Sequence, residues 1–289
     1  HNSDMFVAAI VDAAEARAEE LGVELIVNDA GGDVNKQISD CETLLASGVD
    51  ALIVIPQNVE GSAPVVGMAN DAGVPIVVDN GDIADTNYTA FVVCTDQESG
   101  ELLGTWFIEK SGLKEGDKVA IIEGPMGQSG QVGRMAGFEE VGLLDYFDVV
   151  ATQTANWKRD EAMALAEDWI TTYGDELKAI ICENDDMGMG ALAAAQAAGR
   201  DDIIIGGVDG LEDAVQAVAD GTYGCSILQD SEGQGSVGVD VALQIINGED
   251  YEKDTRIPFH TIDADNVEAY LEGGLEAISD DAAAEDDAA

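Results

Sequence analysis

Amphipathic helix patterns alternate with short apolar strand patterns along almost the whole chain, and this alternation restricts the fold more than any other feature. Gly22, Gly48 and Gly73 end the first three helix patterns. They lie about 25 residues apart, close to one βα unit each. Alternation of this kind predicts parallel strands with helices on both faces of each sheet.

The strand patterns are too many for one compact sheet, so the sequence predicts an α/β fold of two doubly wound parallel-sheet lobes. The segment 91–96 is a plausible crossing between the lobes. Helix patterns cover residues 6–21, 36–46, 61–71, 97–110, 130–143, 159–173, 187–198, 211–219 and 232–247. Strand patterns cover residues 23–27, 51–55, 75–78, 118–122, 147–153, 178–182, 202–206, 223–228 and a stretch near 256–262.

The net charge of −47, from 59 acidic and 12 basic residues, excludes several classes of partner. Nucleic acid and anionic membranes bind proteins through Lys and Arg, so neither is expected. No apolar run is long enough to span a bilayer, and direct membrane insertion is not expected. The acids are spread along the chain, which favours a solvated surface suited to high salt and a salt-adapted source organism.

The four cysteines show no metal-ligand spacing, so a metal site is not expected. Their sequence positions leave the disulfide state open. They are Cys41, Cys94, Cys182 and Cys225. The glycine-rich run 124–130 fits neither GxGxxG nor the P-loop, and no cofactor is expected.

Two predicted strands end at polar residues, at the position where an open α/β sheet has its ligand crevice. The run 178–182 is followed by Glu183, Asn184, Asp185 and Asp186, and the run 202–208 is followed by Asp209. Amides and carboxylates at strand ends suit an uncharged, hydroxyl-rich ligand, because they donate and accept hydrogen bonds.

Several ordered motifs resemble the sugar-binding proteins of ABC importers. These are the ribose/galactose type of periplasmic binding protein, and the ribose-binding branch is the most similar. The resemblance runs from about residue 2 to about residue 265. It rests on Met5-Phe6, Pro56-Gln-Asn58, the passage 68–80, Arg134-Met-Ala-Gly-Phe138, Asn184-Asp-Asp-Met187, Gly190-Ala-Leu192, Gly207-Val-Asp-Gly210 and Gln229.

The resemblance implies two lobes joined by a three-strand hinge, with crossings near 95–97, 229–231 and 258–261. The N-lobe would comprise residues 1–95 and 231–259. The chain opens almost directly into a helix, so either the first strand of this lobe is missing or the lobe starts atypically. The C-lobe would comprise residues 96–230 and 260–270. The acidic stretch 271–289 is predicted to be a disordered tail.

The resemblance also implies roles for residues of the C-lobe. Arg134 would donate to sugar oxygens, and Trp157 would stack on the sugar ring. Asn184, Asp209 and Gln229 would hydrogen-bond the hydroxyl groups. All of these except Gln229 have a structural alternative: a surface ion pair for Arg134, core packing for Trp157, and helix capping for Asn184 and Asp209.

On the N-lobe side the resemblance implies Phe6 as a stacking partner and Asn80 as the acid or amide that binds the ligand. Gly81 and Ile55 stand where the ribose-binding pattern has an arginine and an asparagine, so the identity of the sugar stays open between a pentose, a hexose and a polyol. Further candidates are Asn2, Met5, Asp79 and Asn58.

The function predicted is that of an extracytoplasmic solute-binding protein, periplasmic or anchored to the cell surface, and not an enzyme. It would capture a monosaccharide or polyol in a cleft between the lobes as a monomer, close on it, and deliver it to the permease subunits of an ABC importer. One alternative is the effector-binding domain of a lactose-repressor-type regulator. The other is a sugar-processing enzyme on the same architecture.

Overall fold

The computed structural model describes residues 5–278, which divide into two compact α/β units. The first unit contains residues 5–96, 127–132 and 230–258. The second unit contains residues 97–126, 133–229 and 259–278. The chain passes between the units at Asp96–Gln97, Gln229–Asp230 and Pro258–Phe259, and also on either side of residues 127–132.

The first unit is built on a four-stranded parallel sheet of order β1-β2-β3-β9. Its strands are β1 (Leu52–Val54), β2 (Ile76–Asp79), β3 (Ala90–Val93) and β9 (Asp254–Arg256). Its helices are α1 (Met5–Leu21), α2 (Val34–Ser47), α3 (Pro64–Ala72), the start of α4 (Asp96–Glu109) and α10 (Ser231–Asn247).

Both faces of this sheet are buried, as a doubly wound unit requires. Ile76 and Val78 pack with side chains of α2 and α3, whereas the intervening Val77 packs with Val241 of α10. Successive side chains of a strand point to opposite faces. The apolar run of β2 is therefore continuous because helices cover it on both sides.

The second unit has a six-stranded sheet of order β10-β8-β7-β6-β4-β5, in which only β10 runs antiparallel to its neighbour. Its strands are β4 (Lys118–Glu123), β5 (Asp148–Thr154), β6 (Leu177–Cys182), β7 (Ile204–Asp209), β8 (Cys225–Leu228) and β10 (His260–Asp263). Its helices are most of α4 and of α5 (Ser129–Glu140), together with α6 (Leu143–Tyr146), α7 (Arg159–Tyr173), α8 (Asp185–Ala197), α9 (Glu212–Ala219) and α11 (Val267–Gly273).

The strand predicted at residues 23–27 is wrong. These residues pair with no strand of the described sheets, and Ile26 and Val27 are 50% and 43% exposed. Leu25, Ile26 and Val27 line a cavity of about 500 Å³ together with residues of α1, α2 and β1. The apolar pattern alone could not show this, because a strand also needs a neighbour that satisfies its backbone hydrogen bonds.

Three further differences concern boundaries. Residues 127–132 lie in the first unit, where Val59 N–H donates to Gly127 O and Asp82 N–H donates to Ser129 Oγ. The stretch near 256–262 contains two strands, β9 and β10, which belong to different sheets. The predicted tail begins too early, because Ile278 is buried in the core of the second unit, while residues 279–289 lie outside the described part.

Within residues 5–278, the helices lack the combination of length and hydrophobicity that crossing a membrane requires. The four cysteines are buried free thiols. The same residues contain no group of three or more His, Cys, Asp or Glu side chains arranged to hold a metal ion.

Candidate functional site

The carboxyl ends of four neighbouring parallel strands bring the candidate residues of the second unit together. β4, β6, β7 and β8 are adjacent in the sheet and run in one direction, so their ends share one edge. Asn184, Asp209 and Gln229 lie at these ends and are no more than 5% exposed. Burial of three such polar groups at one edge requires hydrogen-bond partners, and a fixed arginine is among them.

Arg134 projects from α5 into this cluster and is held by several contacts. Its Nε donates to Ser99 Oγ at 3.2 Å and its Nη2 donates to Gln229 Oε1 at 3.2 Å. Nη1 donates to the main-chain oxygen of Glu183, and Nη2 lies 3.9 Å from Asp209 Oδ1. A buried guanidinium with these partners is an oriented set of donors and not a surface ion pair.

Glycine allows α4 to approach α5 at this point. A Cβ on Gly100 would lie 2.3 Å from the main-chain oxygen of Arg134. Any larger residue at that position would push α5, and Arg134 with it, away from the strand ends.

Trp157 lies in the loop after β5 and contacts Arg134. Its ring centroid is 5.5 Å from the Arg134 Cζ, within range of a cation–π interaction. Asn156 and Trp157 both have positive φ, at 54° and 60°. This backbone conformation is unusual for residues with side chains, and it sets the direction in which the indole leaves the loop. The indole is half-buried and packs against the core of the second unit, so the core-packing alternative holds in part. A Cβ on Gly124 would lie 2.0 Å from its ring.

Asn184 has the capping role that the sequence left open. It is the N-cap of α8, and its Oδ1 accepts a hydrogen bond from Met187 N–H at 3.0 Å. The cap uses the amide oxygen, so the amide's NH₂ group is the part suited to a ligand hydroxyl.

Asp209 ends β7 in a strained backbone conformation, with φ 128°. Its main-chain oxygen accepts a hydrogen bond from Gln229 N–H at 3.2 Å. It is not a helix N-cap, because α9 begins at Glu212 and Leu211 occupies the cap position. The side chain is thus turned to the Arg134 edge of the cluster instead of to a helix.

Asp185 is one of the polar residues after β6, but no ligand role was predicted for it, and it is fully buried. Its Oδ2 accepts hydrogen bonds from Gly210 N–H at 2.9 Å, Leu211 N–H at 3.1 Å and the hydroxyl of Ser226. Its Oδ1 accepts one from the Tyr223 hydroxyl at 3.2 Å. Burial raises the pKa of Asp185 to about 7, although these hydrogen bonds act in the opposite direction.

In the first unit, Asn80 follows β2 with φ 63°, and its Nδ2 donates to Gln234 Oε1 at 2.9 Å. Gln234, fully buried in α10, is a partner that no local motif in the sequence indicates. Phe6 is 7% exposed on the buried face of α1, whereas its neighbour Met5 is 55% exposed.

Of the further candidates in the first unit, Asn58 has a structural contact. Asn58 Oδ1 accepts hydrogen bonds from Glu60 N–H and Gly61 N–H and closes a turn. Asp79 is 2% exposed, and burial raises its pKa to about 8. Asn2 lies outside the described residues.

Buried Asp and amide side chains at the ends of parallel strands, with an arginine from α5 and a half-buried tryptophan beside them, are typical of α/β proteins that bind small polar molecules. The family model described as periplasmic binding protein domain matches residues 1–250. The chain belongs to this family and is a solute-binding protein. This membership and the α/β fold with parallel sheets confirm the family and the fold predicted from the sequence.

Relatives of known name cover most of the chain. The xylitol-binding protein of Mycolicibacterium smegmatis is 33% identical over 94% of this chain and 78% of that protein. A putative rhizopine-binding protein of Rhizobium meliloti is 34% identical over 91% of this chain and 88% of that protein. A solved ABC transporter solute-binding protein from Bacillus halodurans with bound myo-inositol has 34% identity, a TM-score of 0.87, and 94% coverage of both chains.

Proposed function

We propose that the protein binds a monosaccharide or polyol at the cluster of the second unit and delivers it to the permease of an ABC importer. The observation that carries the proposal is the fixed guanidinium of Arg134 beside the carboxylate of Asp209 and the amide of Gln229. A planar donor next to a carboxylate and two amides matches the alternating donors and acceptors of neighbouring hydroxyl groups.

Trp157 supplies the apolar part of the proposed recognition. The ring carbons of a sugar or cyclitol carry C–H groups that pack against a flat aromatic face, and an indole offers a large one. The half-buried indole is held on one side by Gly124 and Arg134. In this proposal the ligand covers the part of the indole that the protein leaves exposed.

The proposed ligand class includes polyols as well as aldoses. The relatives named above are a xylitol-binding protein, a putative rhizopine-binding protein and a structure that holds myo-inositol. In the proposal the protein works outside the cytoplasmic membrane as a monomer and presents its loaded form to the permease. No reaction is assigned to it, since relatives are named as binding proteins.

A thermal-shift screen of pentoses, hexoses and polyols, among them D-ribose, D-allose, xylitol and myo-inositol, tests the proposal. A true ligand at about 100 times its Kd adds about 2.7 kcal/mol to the free energy of unfolding, which appears as a higher Tm. The indole fluorescence should change with the same ligand. Trp157→Phe should remove this change, since Trp106 and Trp169 are buried elsewhere in the second unit. If no pentose, hexose or polyol raises the Tm, the proposal is wrong.

Site variants connect the ligand to the cluster. Asp209→Ala and Asn184→Ala should abolish the ligand-induced shift. Because Asn184 also caps α8, its alanine variant should lose about 1 kcal/mol of stability as well. Asn184→Ser is the matched control: it restores the cap but not the amide, so it should recover the stability and not the binding. If both alanine variants bind the ligand as tightly as the unaltered protein does, the ligand site lies elsewhere.

A further inference from the structure

The backbone at Asp209 has an unfavourable conformation that other contacts must stabilise. Its φ is 128° and that of the next residue, Gly210, is 75°, so two consecutive residues lie in the left-handed half of conformational space. Such conformations persist only where surrounding contacts determine them, since each costs on the order of 1–3 kcal/mol for a residue with a side chain. The main-chain contact from Gln229 N–H to Asp209 O is long, at 3.2 Å.

The support comes from one buried carboxylate. The two amides directly after Asp209, those of Gly210 and Leu211, both donate to Asp185 Oδ2. The Ser226 hydroxyl donates to the same oxygen and accepts from Gly210 N–H at 3.0 Å. One side-chain oxygen at the start of α8 thus accepts hydrogen bonds from both amides of the turn and from a hydroxyl group of β8.

The other oxygen of the carboxylate is fixed from the opposite side. Tyr223 donates its hydroxyl to Asp185 Oδ1, and two glycines make room for this contact. A Cβ on Gly188 would lie 1.9 Å from the Tyr223 hydroxyl oxygen, and a Cβ on Gly207 would lie 2.7 Å from Asp185 Oδ1. The carboxylate therefore cannot rotate without losing a buried partner.

We infer that Asp185 is a positioning residue for the ligand site: it holds the turn after β7 so that Asp209 presents its carboxylate beside Arg134. Asp185 has no exposed surface and accepts four hydrogen bonds from the protein, so it acts on the ligand only through Asp209. This inference rests on the proposed function for its effect on affinity, but not for its effect on the turn.

Two measurements on the full chain test the inference. The first is hydrogen exchange of the Gly210 and Leu211 amides in the ligand-free protein. The second is the affinity for the member of the panel of D-ribose, D-allose, xylitol and myo-inositol that raises the Tm of the unaltered protein most. Asp185→Ala should lower the protection of both amides at least tenfold and the affinity at least tenfold. Asp185→Asn keeps an oxygen acceptor at the same place and should restore both within about threefold.

The matched control is Asp186→Ala. It removes a carboxylate from the same helical turn, but this carboxylate pairs with Arg159 Nε at 2.8 Å and not with the turn. It should leave the protection of the two amides and the affinity within about threefold of the unaltered protein. If Asp185→Ala does not fold, Ser226→Ala replaces it and should lower both quantities at least threefold, because it removes one partner of Oδ2.

The outcomes separate the inference from the proposed function. If the Gly210 and Leu211 amides are as well protected in Asp185→Ala as in the unaltered protein, the inference is wrong, whether or not a ligand is found. If Asp185→Ala lowers the protection of these amides but leaves the ligand affinity unchanged, Asp185 has a structural role only and does not position the ligand site. If the unaltered protein binds no member of the panel, the proposed function fails, and the exchange rates still decide whether Asp185 holds the turn.

Discussion

Burial and charge oppose each other at Asp79. This residue ends β2, is 2% exposed, and its Oδ1 has no hydrogen-bond partner within residues 5–278. Burial raises its pKa from 3.8 to about 8, and only the contact with the Asn80 main chain acts against this. The neutral acid is therefore the form that the fold accepts at neutral pH.

The raised pKa of Asp79 predicts a specific pH dependence of stability. Between about pH 4 and pH 8 the folded state holds a proton that the unfolded chain has lost, so the free energy of unfolding falls as the pH rises. The slope from this group is at most about 1.4 kcal/mol per pH unit. Asp79→Asn imitates the neutral acid. It should gain stability relative to the unaltered protein as the pH rises from 5 to 8, measured by urea unfolding at each pH.

The control for this prediction is Asp82→Asn, which makes the same substitution at an exposed position nearby. Its stability should follow that of the unaltered protein across the same pH range. Parallel pH profiles for the unaltered protein and Asp79→Asn would contradict the prediction.

At the scale of single elements, close packing at glycines positions the site. The end of β4 passes directly under the loop that carries Trp157, and this is possible only because residue 124 has no side chain. The hydroxyl of Thr154, at the end of β5, donates to Gly124 O at 2.6 Å and joins the two strand ends. The orientation of the indole is therefore a property of two neighbouring strands as well as of its own loop.

Gly124→Ala tests this dependence. The added methyl group would lie about 2 Å from the indole ring and must displace it, since so short a contact cannot persist. We expect the affinity for the sugar or polyol to fall at least tenfold and the ligand-induced fluorescence change to decrease. The measurements are a binding isotherm and a fluorescence titration.

Gly67→Ala is the matched control, since an added Cβ in the middle of α3 meets no atom within 4 Å. It should leave the affinity unchanged and stabilise the helix by roughly 0.5–1 kcal/mol. Equal affinity of the Gly124→Ala variant and the unaltered protein would show that the position of the indole does not matter for binding.

At the scale of the whole molecule, charge is the dominant feature. The chain has a net charge of −47 with only 12 basic residues. Some of these are engaged locally: Arg159 pairs with Asp186 and Asp213, and Arg200 pairs with Asp202. Most carboxylates are thus left to repel one another, and salt reduces this repulsion because it shortens the range of the field.

This charge predicts that the folded state is more stable in salt. The Tm should rise between about 10 mM and 1 M KCl, as the screening length falls from about 30 Å to about 3 Å. A scanning calorimetry series in KCl measures the effect, and a parallel series in sucrose serves as the control, because sucrose acts by exclusion without screening charge. Equal stability at low and molar KCl would contradict the prediction.

Local signals in the sequence predicted most of the elements and the polar residues at the strand ends. The helix at 159–173 begins and ends where its pattern does, and Asn184, Asp209 and Gln229 come together because neighbouring parallel strands end at one edge. The same signals failed at residues 23–27. An apolar pattern indicates which side chains a strand would bury, but it does not indicate which neighbouring strand would accept and donate its backbone hydrogen bonds.

The sequence alone therefore determined the α/β class, the family and the residue types suited to a sugar or polyol, since periodicity, glycine stops and ordered motifs are local properties of the chain. Only the tertiary structure decided the roles of individual polar groups. It made Asn184 a helix cap, paired Asn80 with Gln234 of α10, and put Asp185 beneath the turn after Asp209. The latter two contacts join segments far apart in the chain, and long-range partners of this kind leave no pattern in the sequence around either residue.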